Sequence, residues 1–199
     1  MPKPETFLFD MDGVLCDYDF AGRLDRLETA LGIAAAEIEA KIFKSGFEDE
    51  ADLGVYDSTD YLTEISRRLG VRVDRQAWLD ARAGAMTPNP EMLNLVGDIM
   101  KDHDVALMTN NGALLAEAID DIFPALRELF GAQLVFSSDV GASKEDAGTF
   151  PLLMARFGWT AETTLFIDDS ETYIAAGRDA GLRTHLFRDY AGLRAALAA

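Results

Sequence analysis

The sequence predicts an α/β fold, a doubly wound parallel sheet interrupted after its first strand by an all-helical insertion. Three observations lead there. Short apolar segments alternate with stretches of helical period along most of the chain. Several of those segments end in polar clusters, and one long interval, residues 16–88, carries helical patterns alone.

Residues 7–9, 105–108, 134–136, 165–167 and 184–187 read as strands. Each is brief and apolar, β-branched or aromatic in part, without strict alternation, as expected of parallel strands covered on both faces. Asp10, Thr109-Asn110-Asn111, Ser137-Ser138-Asp139 and Asp168-Asp169 follow four of them. Open α/β sheets bind ligands beyond the carboxyl ends of their strands, so these clusters lie where a site is expected. Helical period runs over residues 91–100, 113–122, 150–157, 171–180 and 190–197. Asn89-Pro90-Glu91 marks the first start, with an N-cap and a proline at the first helical position. Gly158 and Gly181 read as the glycines that end two later helices.

Between residues 16 and 88 no strand is apparent. Leu24, Leu27 and Leu31, then Ile38, Ile42 and Phe43, then Tyr61, Leu62, Ile65 and Leu69 recur at helical spacing, and Ala34-Ala35-Ala36 reads as helix. A crossover of this length is no plain connection. The expected organisation is an α/β core from residues 1–15 and 89–199, with a helical cap subdomain at 16–88. Its position, directly after the first strand, is where lids and specificity elements occur. Within it, Phe47, Glu48, Asp49, Glu50, Asp52, Tyr56 and Asp57 form an acidic and aromatic stretch. That stretch reads as a solvated surface rather than a face for sugar hydroxyls. Asp17 and Asp19 read as helix-capping residues near the first hinge.

Composition narrows the function. The chain has 199 residues, 49% of them hydrophobic, enough for a real core. Acidic residues outnumber basic ones 35 to 18, a net charge of −17. Such a field repels nucleic acid and anionic membrane surfaces. Small phosphates are not excluded, because a divalent cation and a few donors reverse the sign inside a cleft. No apolar run approaches the ~20 residues of a membrane helix, and the amino terminus lacks the signal-peptide pattern. A lone cysteine, Cys16, has no internal disulfide partner, so a reducing cytoplasm is expected.

The strongest chemical signal is Phe7-Leu8-Phe9-Asp10-Met11-Asp12-Gly13-Val14-Leu15. A buried strand ends in two carboxylates one residue apart, and in extended geometry such residues share a side. Keeping both ionised requires a cation or proton between them. Asp168-Asp169 places a second acid pair after another buried strand. Helix capping accounts for one pair but not for both. Convergence at one sheet edge would make a hard-oxygen site suited to Mg²⁺. Thr109, Asn110 and Gly112 ahead of a helix offer a hydroxyl, an amide and backbone N–H groups to anionic oxygens. Lys144 is a lone cation just before a helix start, where positive charge is unfavourable.

These elements, in this order, resemble the haloacid dehalogenase-like superfamily of phosphatases and mutases over essentially the whole chain. The resemblance implies that superfamily's Rossmann-like core and helical cap, and is nearest its branch acting on sugar phosphates and similar small metabolites. It implies Asp10 as the nucleophile and Asp12 as general acid/base. Thr109 and Lys144 would hold the phosphoryl oxygens, with Asn110 helping to position them. Mg²⁺ would be bound by Asp10, the backbone carbonyl of Asp12 and Asp169, with Asp168 a direct or water-mediated ligand. Two positions depart from the common pattern. Glu145 stands where many relatives have proline, and Asp168-Asp169 with Tyr173 replaces a Gly-Asp pair with a further Asp. A dehalogenase would need neither Asp12 nor magnesium. A phosphomutase would use the same residues, and a receiver-like phospho-acceptor module would carry its aspartate mid-domain without the insertion. The expected partner is a small phosphorylated metabolite.

Overall fold

A computed structural model describes residues 4–198. Its strands are β1 (Thr6–Phe9), β2 (Cys16–Tyr18), β3 (Met86–Pro88), β4 (Asp104–Thr109), β5 (Leu134–Phe136), β6 (Thr164–Asp168) and β7 (Arg183–Leu186). Five of them form one sheet in the order β5-β4-β1-β6-β7, every neighbouring pair parallel. β1 is central, and its last residue, Phe9, lies opposite Leu107 of β4 and Ile167 of β6. The polar residues that follow Phe9, Met108 and Ile167 therefore emerge side by side.

Alternate residues of these strands enter two different cores. Phe7, Phe9, Leu107, Ile167 and Phe136 join one cluster, with Met92, Val96, Ile119 and Leu193 from the helices on that face. Leu8, Met108, Phe166 and Val135 join the other, with Phe150, Leu153 and Ile174. This double coverage explains why the strands are apolar throughout, since neither face meets water. The helices Pro90–Ile99, Ala113–Ile122, Thr149–Phe157, Glu171–Asp179 and Tyr190–Ala198 fall within a residue of the expected spans. The Asn89 side chain caps the first by accepting from Met92 N, and Gly158 and Gly181 take left-handed backbone. The helix Pro124–Phe130 goes unread in the sequence because Phe123-Pro124 breaks the period of the helix before it. The polar cluster Ser137-Ser138-Asp139 forms the single helical turn Ser137–Val140.

The expectation of no strand between residues 16 and 88 needs correction. β2 and β3 pair antiparallel at the two ends of the insertion, with Cys16 opposite Pro88 and Tyr18 opposite Met86. Hydrogen bonds from Asn89 N to Leu15 O and from Asp19 N to Ala85 O extend the ribbon at both ends. Three-residue strands of mixed polarity carry no readable period, and each is defined by a partner far away in the chain. The ribbon draws the exit and re-entry of the insertion together.

The insertion itself is helical: Phe20–Leu31, Ala35–Ile38 continuing as a π-turn over Glu39–Phe43, Phe47–Asp52, Ser58–Leu69 and Arg75–Ala83. Ala34 is the residue before a helix rather than part of one, and Asp19 caps the first helix by accepting from Gly22 N. Leu27, Ile38, Ile42, Phe47, Ile65 and Trp78 make a separate hydrophobic cluster. Leu114 and Ala118 of the helix Ala113–Ile122 belong to that same cluster, so the insertion is packed onto the α/β core. Among the described residues no helix is long and apolar enough to cross a membrane.

Gly177 lets the helix Glu171–Asp179 approach β6 closely: a Cβ there would stand 2.8 Å from Cδ1 of the fully buried Phe166. Over-packing of this kind costs about 1–3 kcal/mol, more than the up to ~1 kcal/mol that alanine gains over glycine inside a helix. Gly177→Ala should therefore lower the urea midpoint at unchanged m-value, and a stabilised variant would show that the contact relaxes freely.

Candidate active site

Strand ends supply the site. Asp10 leaves β1 with its backbone N–H donating to Ile167 O at 3.0 Å, which locks its position against β6. Asp168 is the last residue of β6 and is fully buried. Its Oδ1 accepts from Ser170 N at 2.8 Å, and Ser170 in turn caps the helix Glu171–Asp179. Asp169, more exposed, completes a group in which one carboxylate oxygen from each of Asp10, Asp168 and Asp169 lies within 4.8 Å of the others. Gly13 makes room for it. With φ at +79° it occupies left-handed backbone, and a Cβ there would collide with the Asp169 carboxylate. The Asp-x-Asp-Gly turn thus needs its glycine for two independent reasons.

Lys144 enters this acidic group from the loop between the helices Ser137–Val140 and Thr149–Phe157. Only 1% exposed, its Nζ donates to Asp10 Oδ1 at 2.5 Å and to Asp168 Oδ2 at 2.8 Å. Burial alone would pull the ammonium down, but the two carboxylates outweigh it and hold Lys144 above the ordinary lysine range. Asp10 is pushed up to about 7, by burial first, with Lys144 opposing and the Asp168 charge adding. Burial and then the Asp168 charge also raise Asp169. The cluster is a low-dielectric pocket holding more negative than positive charge, which is the condition for binding a further cation. Three hard carboxylate oxygens in this grouping fit a divalent metal.

The remaining expected residues are placed as follows. Thr109 ends β4, is buried, and accepts from Asn111 Nδ2 at 2.7 Å. The Asn110 amide is engaged with the lysine loop: Nδ2 donates to Ser143 Oγ at 2.8 Å, and Oδ1 accepts from Lys144 N at 3.2 Å. The Asp12 carboxylate is not in the carboxylate cluster with Asp10. Its Oδ2 accepts from Arg82 Nη2 at 2.5 Å and from Asn111 Nδ2 at 3.4 Å. Tyr173 lays its ring centroid 4.8 Å from Lys144 Nζ. Glu145 is exposed and takes no part in the lysine's two ion pairs.

Sequence reasoning missed Arg82. It is 3% exposed on the helix Arg75–Ala83, with its guanidinium centre 4.0 Å from the centroid of the Tyr18 ring. The available signal was a cation on the apolar face of a helix, next to Trp78, Leu79 and Ala81. Asn111, which bridges Thr109 and Asp12, was visible only as a member of a polar cluster. Another link joins insertion and core, Ser137 Oγ donating to Asp52 O at 2.6 Å. The acidic and aromatic stretch of the insertion is only partly a solvated surface. Asp49, Glu50 and Asp57 are exposed, and Phe47 is buried in the insertion's own core. Glu48, Asp52 and Tyr56 line a cavity beside Asp12 together with Arg23, Tyr61 and Arg82.

Residues 4–181 match the family described as haloacid dehalogenase-like hydrolases. A phosphatase of Mycobacterium tuberculosis is 25% identical over 192 residues, covering 90% of this chain and 85% of its own. The solved structure of a predicted hydrolase of this type from Porphyromonas gingivalis superposes with a TM-score of 0.86 at 22% identity, covering 99% and 98% of the two chains. An enzyme of the same family from Bacteroides thetaiotaomicron, solved with magnesium and inorganic phosphate, gives 0.82 at 19% identity over 96% and 98%. With its strand-end carboxylates gathered round a buried lysine, the chain belongs to the haloacid dehalogenase-like hydrolases.

Proposed function

We propose that this hydrolase is a magnesium-dependent phosphatase of small phosphate monoesters, working through an aspartyl phosphate on Asp10. The observation that carries the reading is the convergence of Asp10, Asp168 and Asp169 on one buried lysine at the end of the central strand. The Mycobacterium phosphatase and the magnesium–phosphate complex of the Bacteroides enzyme support it.

In this reading one carboxylate oxygen of Asp10 attacks phosphorus, and the bond from phosphorus to the ester oxygen breaks on the opposite side. Asp12 delivers its proton to that leaving oxygen. It then takes a proton from the water that attacks the aspartyl phosphate, which releases phosphate and restores Asp10. Two easier displacements replace one difficult one. Lys144 and Thr109 hold the phosphoryl oxygens, and Asn110 acts indirectly by fixing the loop that carries Lys144. Arg82 and Asn111 set the orientation of the Asp12 carboxylate. Asp10, Asp168 and Asp169, with the backbone carbonyl of Asp12, would hold Mg²⁺, which supplies charge neutralisation at the equatorial oxygens. The insertion acts as a cap: through Arg82 it reaches the acid/base residue itself, and this enclosure favours small metabolites, sugar phosphates among them, over phosphoproteins.

Asp10→Asn should reduce p-nitrophenyl phosphate hydrolysis to background, and unchanged turnover would end the proposal. Asp12→Ala should lose the ~10²–10⁴-fold typical of a general acid/base. The metal can be tested without activity. An acid whose folded-state pKa is raised loses stability for the fold as pH climbs from its unfolded value, near 3.8, through its folded one, about 7 for Asp10. In metal-free protein the carboxylate cluster should therefore cost stability progressively between about pH 4 and about pH 7. Mg²⁺ should raise the melting temperature more at about pH 7.5 than at about pH 5, and a shift independent of pH would place the ion elsewhere.

A further inference from the structure

We propose that the cavity beside Asp12 is a leaving-group pocket that recognises a second acidic group on the substrate, through the guanidinium groups of Arg23 and Arg82. The inference rests on the phosphatase reading and narrows its substrate class, from small phosphate monoesters to those whose leaving group carries a carboxylate or a second phosphate.

The cavity lies between the insertion and the α/β core and is partly open to solvent. Both arginines line it and both are buried, at 7% and 3% exposure. Arg23 Nε, Arg82 Nε and Arg82 Nη1 are buried donors without a hydrogen-bond partner in the protein. Native interiors rarely leave such donors empty, and a water or a ligand oxygen entering beside them would meet that need. Among the described residues Arg82 has one carboxylate within ion-pair reach, Asp12. Among the described residues Arg23 has no carboxylate within ion-pair reach. Its Nη1 donates to the Tyr18 hydroxyl at 3.0 Å, and its guanidinium centre lies 4.9 Å from the Phe43 ring centroid and 5.5 Å from that of Trp78. A buried cation supported mainly by aromatic rings is incompletely compensated.

Two acids share the cavity, and Glu48 answers part of the Arg23 charge. The Glu48 oxygens accept from the Tyr61 hydroxyl at 2.9 and 2.8 Å. Burial pushes Glu48 up, and burial followed by the charges of Glu48 and Asp49 pushes Asp52 up to about 8. This shift favours the protonated form of Asp52, which can donate to a ligand oxygen. Two guanidinium groups face one acid engaged with Tyr61 and one raised toward its neutral form, and an oxyanion satisfies several N–H donors at once where a single hydroxyl satisfies one. The pocket also offers Tyr56, Tyr61 and Trp78 to cover a carbon skeleton. Because Arg82 spans from Asp12 to the cavity, the group it holds is positioned relative to the ester oxygen that Asp12 protonates. A short leaving group follows.

The test compares matched substrates on the full-length wild-type protein with magnesium: 3-phosphoglycerate against glycerol 3-phosphate, and propanediol bisphosphate against propanediol monophosphate. One acid-bearing member should be preferred by at least about tenfold in kcat/KM, since a site built for a polar group rejects the analogue lacking it. The pair that responds tells carboxylate from second phosphate. Arg23→Gln should bring that ratio close to unity while p-nitrophenyl phosphate turnover stays within about threefold, as expected of a residue that does not touch Asp12. Because Arg23 is packed between aromatic rings, inhibition of the wild type provides a measurement that needs no variant. Glycerate should inhibit p-nitrophenyl phosphate hydrolysis at least about tenfold more strongly than glycerol. Equal turnover in both pairs together with equal inhibition, a preference for the members lacking the second acid, or an Arg23→Gln protein that keeps the preference would each overturn the proposal. If p-nitrophenyl phosphate turnover is robust in any of those cases, the phosphatase reading survives and only the second-anion site is lost. Absence of all phosphatase turnover in the wild type would remove both.

Discussion

The ion pairs of Lys144 with Asp10 and Asp168 are the constraint on which the rest of the site depends. Two adjacent parallel strands deliver carboxylates to one point, and both acids are almost entirely excluded from water. Without a cation the arrangement would be strongly unfavourable, because like charges in a low dielectric repel and neither is solvated. The lysine answers part of that charge. A third carboxylate, Asp169, leaves an excess that favours a divalent ion. The same excess gives the pocket its pull on a cation despite the presence of an ammonium group, and the buried Lys144 keeps its proton because of the acids around it.

Much of the surrounding structure serves to hold that lysine. Asn110 grips the loop from the end of β4, Thr149 Oγ1 ties back to Ser143 O at 2.6 Å, and Tyr173 lies beside the ammonium. The lysine is thus fixed by its loop, by the neighbouring strand and by the helix after β6. A proline following Lys144 would stiffen the loop covalently; here Glu145 occupies that position, and hydrogen bonds around Ser143 supply the stiffness instead.

The insertion is joined to this centre electrostatically as well as by packing. The β2–β3 ribbon brings its two ends together, the contact of Leu114 and Ala118 seats it on the core, and the Arg82–Asp12 pair spans the two parts. A chain of net charge −17 thereby buries three cations, Arg23 and Arg82 in the insertion and Lys144 in the core. Net charge governs long-range encounters with nucleic acid or membranes; the cleft obeys its own local field.

The sequence by itself determined the strand and helix succession, the double coverage of the sheet, and the identity of the acids at the ends of β1 and β6. These are local properties: apolar runs, helical period, caps and an acid pair followed by glycine. It also pointed to a helical insertion after the first strand, because length and pattern are readable without knowing what they touch. Only the tertiary structure decided the strand order, the short β2–β3 ribbon, the reach of Arg82 to Asp12, and which acids of the insertion face a cavity and which face water. Each of those depends on pairing between segments distant in the chain. An arginine on a helix looks the same in sequence whether its guanidinium ends in solvent or against a carboxylate seventy positions earlier.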